Sequence, residues 1–209
     1  MGFYPLFVEL AGRPCVVIGG GRIAEGKAAG LRAAGAVVTV VSPTLTPALA
    51  TLARARAIAH HARVYEDGDL AGAALACVAT GDRAVNAAVA AEGRRRGVWV
   101  NAADDPAHCD FILPSVLRRG ALAVAVSTGG ASPALARVVR EELEGHLGEE
   151  YATLVDVARA VRRTLRTSHR SPEAGRWSQA LRDPAVRRLV AAGRPTAARR
   201  ALRARLDAS

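Results

Sequence analysis

Pro14-Cys15-Val16-Val17-Ile18-Gly19-Gly20-Gly21-Arg22-Ile23-Ala24 reads as an apolar run, a triple-glycine turn and the opening of a helix. A continuous apolar run of this length, closed by turn residues, suits a strand buried on both faces of a parallel sheet. The helix is expected to run from Arg22 to Ala34, with Gly35 ending it, and Ala36-Val37-Val38-Thr39-Val40-Val41 is a second β-branched run. Strand, glycine turn, helix and strand make a βαβ unit. Within it, Gly19, Gly21 and Ala24 match the phosphate-binding fingerprint. The first glycine permits the tight turn, the second lets backbone approach a pyrophosphate, and the small third residue lets helix pack on strand. Unpaired N–H groups at the helix start complement the phosphate charge. This predicts a dinucleotide site, with Gly19, Gly21, Arg22 and Ile23 at the phosphates.

Outward from this unit the alternation continues. A helix is expected from about Thr46 to Arg56, a weak strand near Ile58, a strand at Leu75 to Ala79, a helix from Arg83 to Arg96 and a strand at Val98 to Asn101. Strands alternating with helices predict an α/β fold, a Rossmann-like doubly wound parallel sheet. After Asn101 come a loop with Pro106, a short run Phe111-Ile112-Leu113 and a strand Leu122 to Val126. A helix then opens at Ser132-Pro133, with serine as cap and proline at the first helical position, and runs to about Leu147. From Glu149 the chain reads as helical, broken near Ser171-Pro172, Asp183-Pro184 and Gly193-Arg194-Pro195. Three segments are expected: a Rossmann domain over 1–113, a small α+β segment over 114–147 and an arginine-rich helical domain over 148–209.

Half of the 209 residues are hydrophobic, enough for a substantial core, and the apolar runs are far shorter than the roughly 20 residues of a membrane helix. Met1-Gly2-Phe3-Tyr4-Pro5 lacks the pattern of a signal peptide, and Cys15, Cys77 and Cys109 are odd in number and scattered; both predict a cytoplasmic protein with free thiols. The net charge is +10, and all but Lys27 of the 29 basic residues are arginine. From Arg159 to Arg205 the only acids are Glu173 and Asp183, so the tail suits a polyanion, either nucleic acid or a polycarboxylate.

The second strand ends Val41-Ser42-Pro43, where many NAD enzymes carry an acid for the ribose. Ser42, Pro43 and Thr44 are left to that task, and the residues do not decide between NAD and NADP. Lys27 has two readings: a solvated helix residue, or a contributor to the cofactor site or local packing. His60, His61, His146 and His169 read as structural or exposed. His108, Cys109 and Asp110 read as loop residues, since adjacent side chains rarely converge on one metal, and no metal site is expected.

Four motifs in order resemble one family, the precorrin-2 dehydrogenases and sirohydrochlorin ferrochelatases, which include the N-terminal part of sirohaem synthase. The first is Tyr4-Pro5-Leu6-Phe7 with Gly19 to Lys27, and the second is Leu75-Ala76-Cys77-Val78-Ala79-Thr80-Gly81-Asp82. The third is Asn101-Ala102-Ala103-Asp104-Asp105-Pro106 leading into Phe111-Ile112-Leu113-Pro114-Ser115, and the fourth is Val126 to Ala136. The resemblance covers residues 3–147, and without a methyltransferase half the chain resembles the stand-alone form. It implies oxidation of precorrin-2 to sirohydrochlorin with NAD as cofactor, with Fe2+ as a chelatase substrate in some members. Asp104 matches the catalytic aspartate, a general base, while Asp105 reads as a loop or capping residue. Thr80 and Gly81 are implied at the cofactor. Asn101, Ser127, Thr128, Gly129 and Ser132 are implied at the substrate, with arginines such as Arg118, Arg119 or those of the tail pairing its carboxylates. A homodimer is implied, residues 114–147 supplying much of the contact. Neither nucleic acid nor membrane is an implied partner. The competing reading is a nicotinamide-responsive regulatory protein whose basic tail contacts nucleic acid.

Overall fold

The structure, a computed structural model, describes residues 2–103 and 105–207. The chain forms two compact units, Met1–Ile112 and Leu113–Ser209.

In the first unit β1 (Pro14–Ile18), α1 (Arg22–Ala33), β2 (Val37–Val41), α2 (Pro47–Arg54), β3 (Ala59–His61), β4 (Leu75–Val78), α3 (Arg83–Arg96) and β5 (Trp99–Ala102) follow one another, then a 3-10 turn, Pro106–His108. The five strands form one sheet in the order β3-β2-β1-β4-β5, and every pairing is parallel. The apolar runs follow from burial on both faces. Cys15 and Val17 of β1 join the core beneath α1 and α2, while Val16 and Ile18 join the core beneath α3. Ala24 is buried, as the third fingerprint position requires. Thr46 caps α2 by accepting from Leu49 N, and Gly97 ends α3 in the left-handed region.

Register aligns the carboxyl ends of the central strands: Ile18 lies between Val41 and Val78, and Val78 lies beside Ala102. The chain winds outward from β1 to β3 in one direction and from β4 to β5 in the other. The reversal falls between β1 and β4, the edge at which open α/β sheets bind ligands.

The second unit opens with β6 (Ser115–Arg119) and β7 (Leu122–Val126), an antiparallel pair closed by a turn with Gly120 at φ +55. The sequence pattern predicts β7 but no strand at β6, where Leu117 alone is buried. The apolar run 111–113 has no regular structure, and Phe111 packs into the core beneath α1 and α2. Five helices complete the unit: α4 (Pro133–His146), α5 (Glu150–Thr167), α6 (Ala174–Arg182), α7 (Pro184–Ala191) and α8 (Pro195–Asp207). Their breaks fall at the proline and glycine positions noted in the sequence. Leu154, Val157, Val161, Leu165, Val190, Leu202 and Leu206 fill the core between α5 and the last helices. Among the described residues no helix is long and apolar enough to cross a membrane.

Candidate functional site

The three glycines have different jobs. Gly19 takes φ +115, and a Cβ there would lie 2.5 Å from the carbonyl oxygen of Ala79. Gly20 is pressed against the β2–α2 loop, where a Cβ would lie 1.9 Å from Thr44 O and 2.7 Å from Ser42 Oγ. Its carbonyl accepts from Thr46 N at 2.9 Å, and the Thr46 hydroxyl donates to Glu25 of α1 at 2.8 Å, so loop and helix are stitched to the turn. Gly21 faces open space and is the N-cap of α1 without any side-chain cap. The first N–H groups of α1 are therefore presented at an open backbone surface, as an anionic ligand requires. Arg22 and Ile23 are exposed beside it.

Of the residues at the end of β2, Pro43 and Thr44 are exposed. Ser42 is buried and donates its hydroxyl to Thr44 O at 2.8 Å, while His60 Nε2 lies 2.9 Å from Ser42 O. Ser42 and His60 thus shape this loop.

On the other side of the reversal a cleft of about 610 Å³ opens at the ends of β4 and β5. Ile23, Ala79 and Ala103 give it apolar walls, and Thr80, Gly81, Arg83, Asn86, Asp105 and His108 line the remainder. Asp105 Oδ2 is 2.8 Å from His108 Nδ1 and 3.5 Å from Asn86 Nδ2. The His108 hydrogen bond, with help from Asn86 and the charge of Arg83, holds the Asp105 carboxyl below the usual carboxylate range. Asn86 is 4% exposed, and its Oδ1 has no hydrogen-bond partner among the described residues. The Asp105–His108 pair is a site feature that the loop reading of both residues misses. Its sequence signal is the spacing Asp-Pro-x-His, in which a proline-started 3-10 turn brings residues three apart together.

Asp104 lies outside the described residues. Asn101 is 6% exposed and its amide is occupied within the protein: Oδ1 accepts from Lys27 Nζ at 2.8 Å, and Nδ2 donates to Phe111 O at 2.9 Å. Lys27 therefore takes the packing role rather than the solvated one. It ties α1 to β5, and Asn101 in turn holds the chain at Phe111. Lys27→Met, which leaves the Asn101 carbonyl without its donor, is expected to lower unfolding free energy by about 1–3 kcal/mol, read from urea denaturation. An unchanged midpoint would assign the bond no net weight. The thiols are inert neighbours: burial raises all three, Cys77 to about 11 despite the lowering charge of Lys27.

The remaining expected residues stand in the second unit. The Thr128 hydroxyl both donates to Ser132 O and accepts from Ser132 N, Ser127 Oγ accepts from Gly129 N, and Ser132 Oγ caps α4 on Leu135 N. This is a tight turn feeding a capped helix. Arg119 is engaged by Leu147 O at 2.9 Å and by Glu144 and Glu149, which occupies it structurally. Arg118 is exposed. In the tail Arg170 and Arg203 pair with Asp207, Arg205 pairs with Asp183, and Arg187 lies 4.9 Å over the Tyr151 ring. Among the described residues no three His, Cys, Asp or Glu side chains cluster as a metal site.

A five-stranded parallel sheet whose order reverses beside an uncapped glycine turn is a Rossmann-type nucleotide-binding domain. Residues 6–115 match a family model described as "Putative NAD(P)-binding", and residues 119–146 match one described as "Sirohaem biosynthesis protein central". The chain belongs to this family of NAD(P)-binding proteins of sirohaem biosynthesis. It is 40% identical over 211 residues to a siroheme synthase of Methylococcus capsulatus, covering 100% of this chain and 44% of that protein. A siroheme synthase of Thioalkalivibrio sulfidiphilus is 40% identical over 209 residues, covering 99% and 42%. The chain thus spans less than half the length of these relatives. A solved structure titled "SirC, precorrin-2 dehydrogenase" superposes with a TM-score of 0.73 at 26% identity, over 96% of this chain and 98% of that one.

Proposed function

We propose that the protein is an NAD-dependent precorrin-2 dehydrogenase that forms sirohydrochlorin. The observation that carries this reading is an open, uncapped glycine turn beside a polar cleft at the reversal of the sheet, in a chain of this family. The residues fit a dinucleotide. Gly21 leaves its backbone face clear, and the cleft joins apolar walls to polar side chains.

In this reading Gly19, Gly21, Arg22 and Ile23 hold the pyrophosphate against the start of α1, and Ser42, Pro43 and Thr44 receive the adenosine ribose. Thr80 and Gly81 border the nicotinamide end. NAD, when bound, supplies the hydride acceptor. Oxidation releases one hydride and one proton, and Asp104, two residues after the end of β5 in the sequence, is the base assigned to the proton. Ser127, Thr128, Gly129 and Ser132 receive a substrate carboxylate at the start of α4, where backbone N–H groups favour anions. Asn101 acts through its hold on the loop rather than by touching substrate.

Anaerobic incubation of the protein with precorrin-2 and NAD should generate NADH, followed by its absorbance. Well-folded protein that forms none overturns the reading. Addition of Fe2+ to the sirohydrochlorin produced reads the second activity of the family, ferrochelation, in the same cuvette.

We also infer a homodimer through residues 114–147. Support comes from apolar side chains left in solvent within the second unit, Val116, Leu135 and Val138, the last two 52% and 48% exposed. The double change Leu135→Glu, Val138→Glu should convert a dimer to a monomer in sedimentation equilibrium at micromolar concentration. A wild-type protein that already sediments as a monomer contradicts the inference.

A further inference from the structure

Among the described residues, His108 Nε2 lacks a hydrogen-bond partner at a cleft whose lining also carries the unpaired donors of Arg83 and Thr80. Asp105 is an ionised carboxylate, so the proton of the Asp105–His108 bond resides on Nδ1. A neutral imidazole fixed in that tautomer presents Nε2 as a bare lone pair, and among the described residues Nε2 has no partner. Asn86 donates its amide nitrogen to the same carboxylate, which fixes its orientation, while its Oδ1 is buried without a donor. A ligand group that meets His108 Nε2 must bring a hydrogen-bond donor.

Position narrows the ligand. The cleft lies on the β4–β5 side of the reversal, with the glycine turn at its boundary through Ile23. A dinucleotide whose pyrophosphate rests on that turn directs one nucleoside toward β2 and the other into this cleft. Ile23, Ala79 and Ala103 supply apolar walls for a flat ring. The adenine half has its place by β2, so the group in the cleft is the nicotinamide, whose carboxamide carries two N–H donors.

We propose that His108, oriented by Asp105, selects the carboxamide of the nicotinamide ring by accepting its N–H at Nε2. Asp105 and Asn86 are positioning residues for that contact. The inference rests on the dinucleotide reading of the turn and adds the chemistry of the ring end.

Three ligands test this on the full chain by calorimetry: ADP-ribose, NAD and 3-acetylpyridine adenine dinucleotide, in which a methyl ketone replaces the amide and no N–H remains. Wild type should bind NAD roughly 3–10-fold more tightly than the acetylpyridine analogue, the scale of one hydrogen bond. His108→Leu should erase that preference while keeping wild-type affinity for ADP-ribose, which also reports that the variant is folded. Asp105→Asn, which frees the tautomer, should reduce the preference in part. Equal binding of NAD and the analogue by a wild type that binds ADP-ribose would overturn the carboxamide assignment and leave the dinucleotide reading intact. Failure to bind ADP-ribose at all would remove both. A preference that survives in His108→Leu also counts against the proposal.

Discussion

Asp104→Ala is expected to bind NAD with unchanged affinity and to oxidise precorrin-2 about 10²-fold more slowly, the scale on which general-base catalysis operates. Asp104 follows β5, whose last residue Ala102 is level with Val78 at the carboxyl edge of the sheet. Its two neighbours in the chain, Ala103 and Asp105, both line the cleft. Dehydrogenation must dispose of a proton as well as a hydride, and Asp104 is the carboxylate proposed to take it. Asp105 has the same side chain but a different environment. Its carboxylate is committed to His108 and Asn86, which favours the charged form and leaves little basicity to offer a substrate. Asp105→Asn should therefore affect cofactor discrimination more than turnover, and Asp104→Ala the reverse. Anaerobic steady-state kinetics paired with NAD titration separates the two. Wild-type turnover by Asp104→Ala would remove Asp104 from the mechanism.

How much of this is legible in the sequence depends on whether the cause is local. The β1 run, the glycine turn and the small residue at Ala24 are consecutive, and burial on both faces makes the strand continuously apolar, so the Rossmann unit is readable from one stretch. Ser132 before Pro133 and the breaks at Pro184 and Pro195 are equally local, because a cap or a missing N–H acts on its own turn. β6 is different. It carries arginines at its end and buries only Leu117, so neither alternation nor a continuous run marks it; pairing with β7 and packing against α4 define it. The Lys27–Asn101 bond joins residues 74 apart and has no sequence signature. Asn101 accordingly looks like a ligand contact in a motif, whereas its amide is spent holding α1 and the chain at Phe111. The Asp105–His108 pair is intermediate: the spacing is visible, but its weight comes from Asn86 of α3, brought alongside only by the fold.

The adjacent glycines offer a test that separates what the turn does for folding from what it does for binding. Gly20→Ala should lose both. A methyl group there would sit 1.9 Å from the Thr44 carbonyl oxygen, a backbone atom whose loop is fastened to Gly20 and Glu25 through Thr46, so it cannot yield without breaking those bonds. Overpacking of this kind costs about 1–3 kcal/mol, and the displaced loop carries Ser42, Pro43 and Thr44 out of register with the cofactor. Gly21→Ala should behave in the opposite way. Its φ of −84 is open to any residue, and a Cβ meets nothing within 4 Å, so the thermal midpoint should match wild type. The added methyl would nonetheless stand on the face that a pyrophosphate must approach, and NAD and ADP-ribose should both weaken by roughly tenfold or more, since a backbone contact kept at hydrogen-bond distance is replaced by a steric one. Differential scanning calorimetry reads the first quantity and ligand titration the second. If Gly21→Ala binds both ligands as wild type does, the phosphates do not rest on this turn, and the dinucleotide must be sought elsewhere along the edge of the sheet.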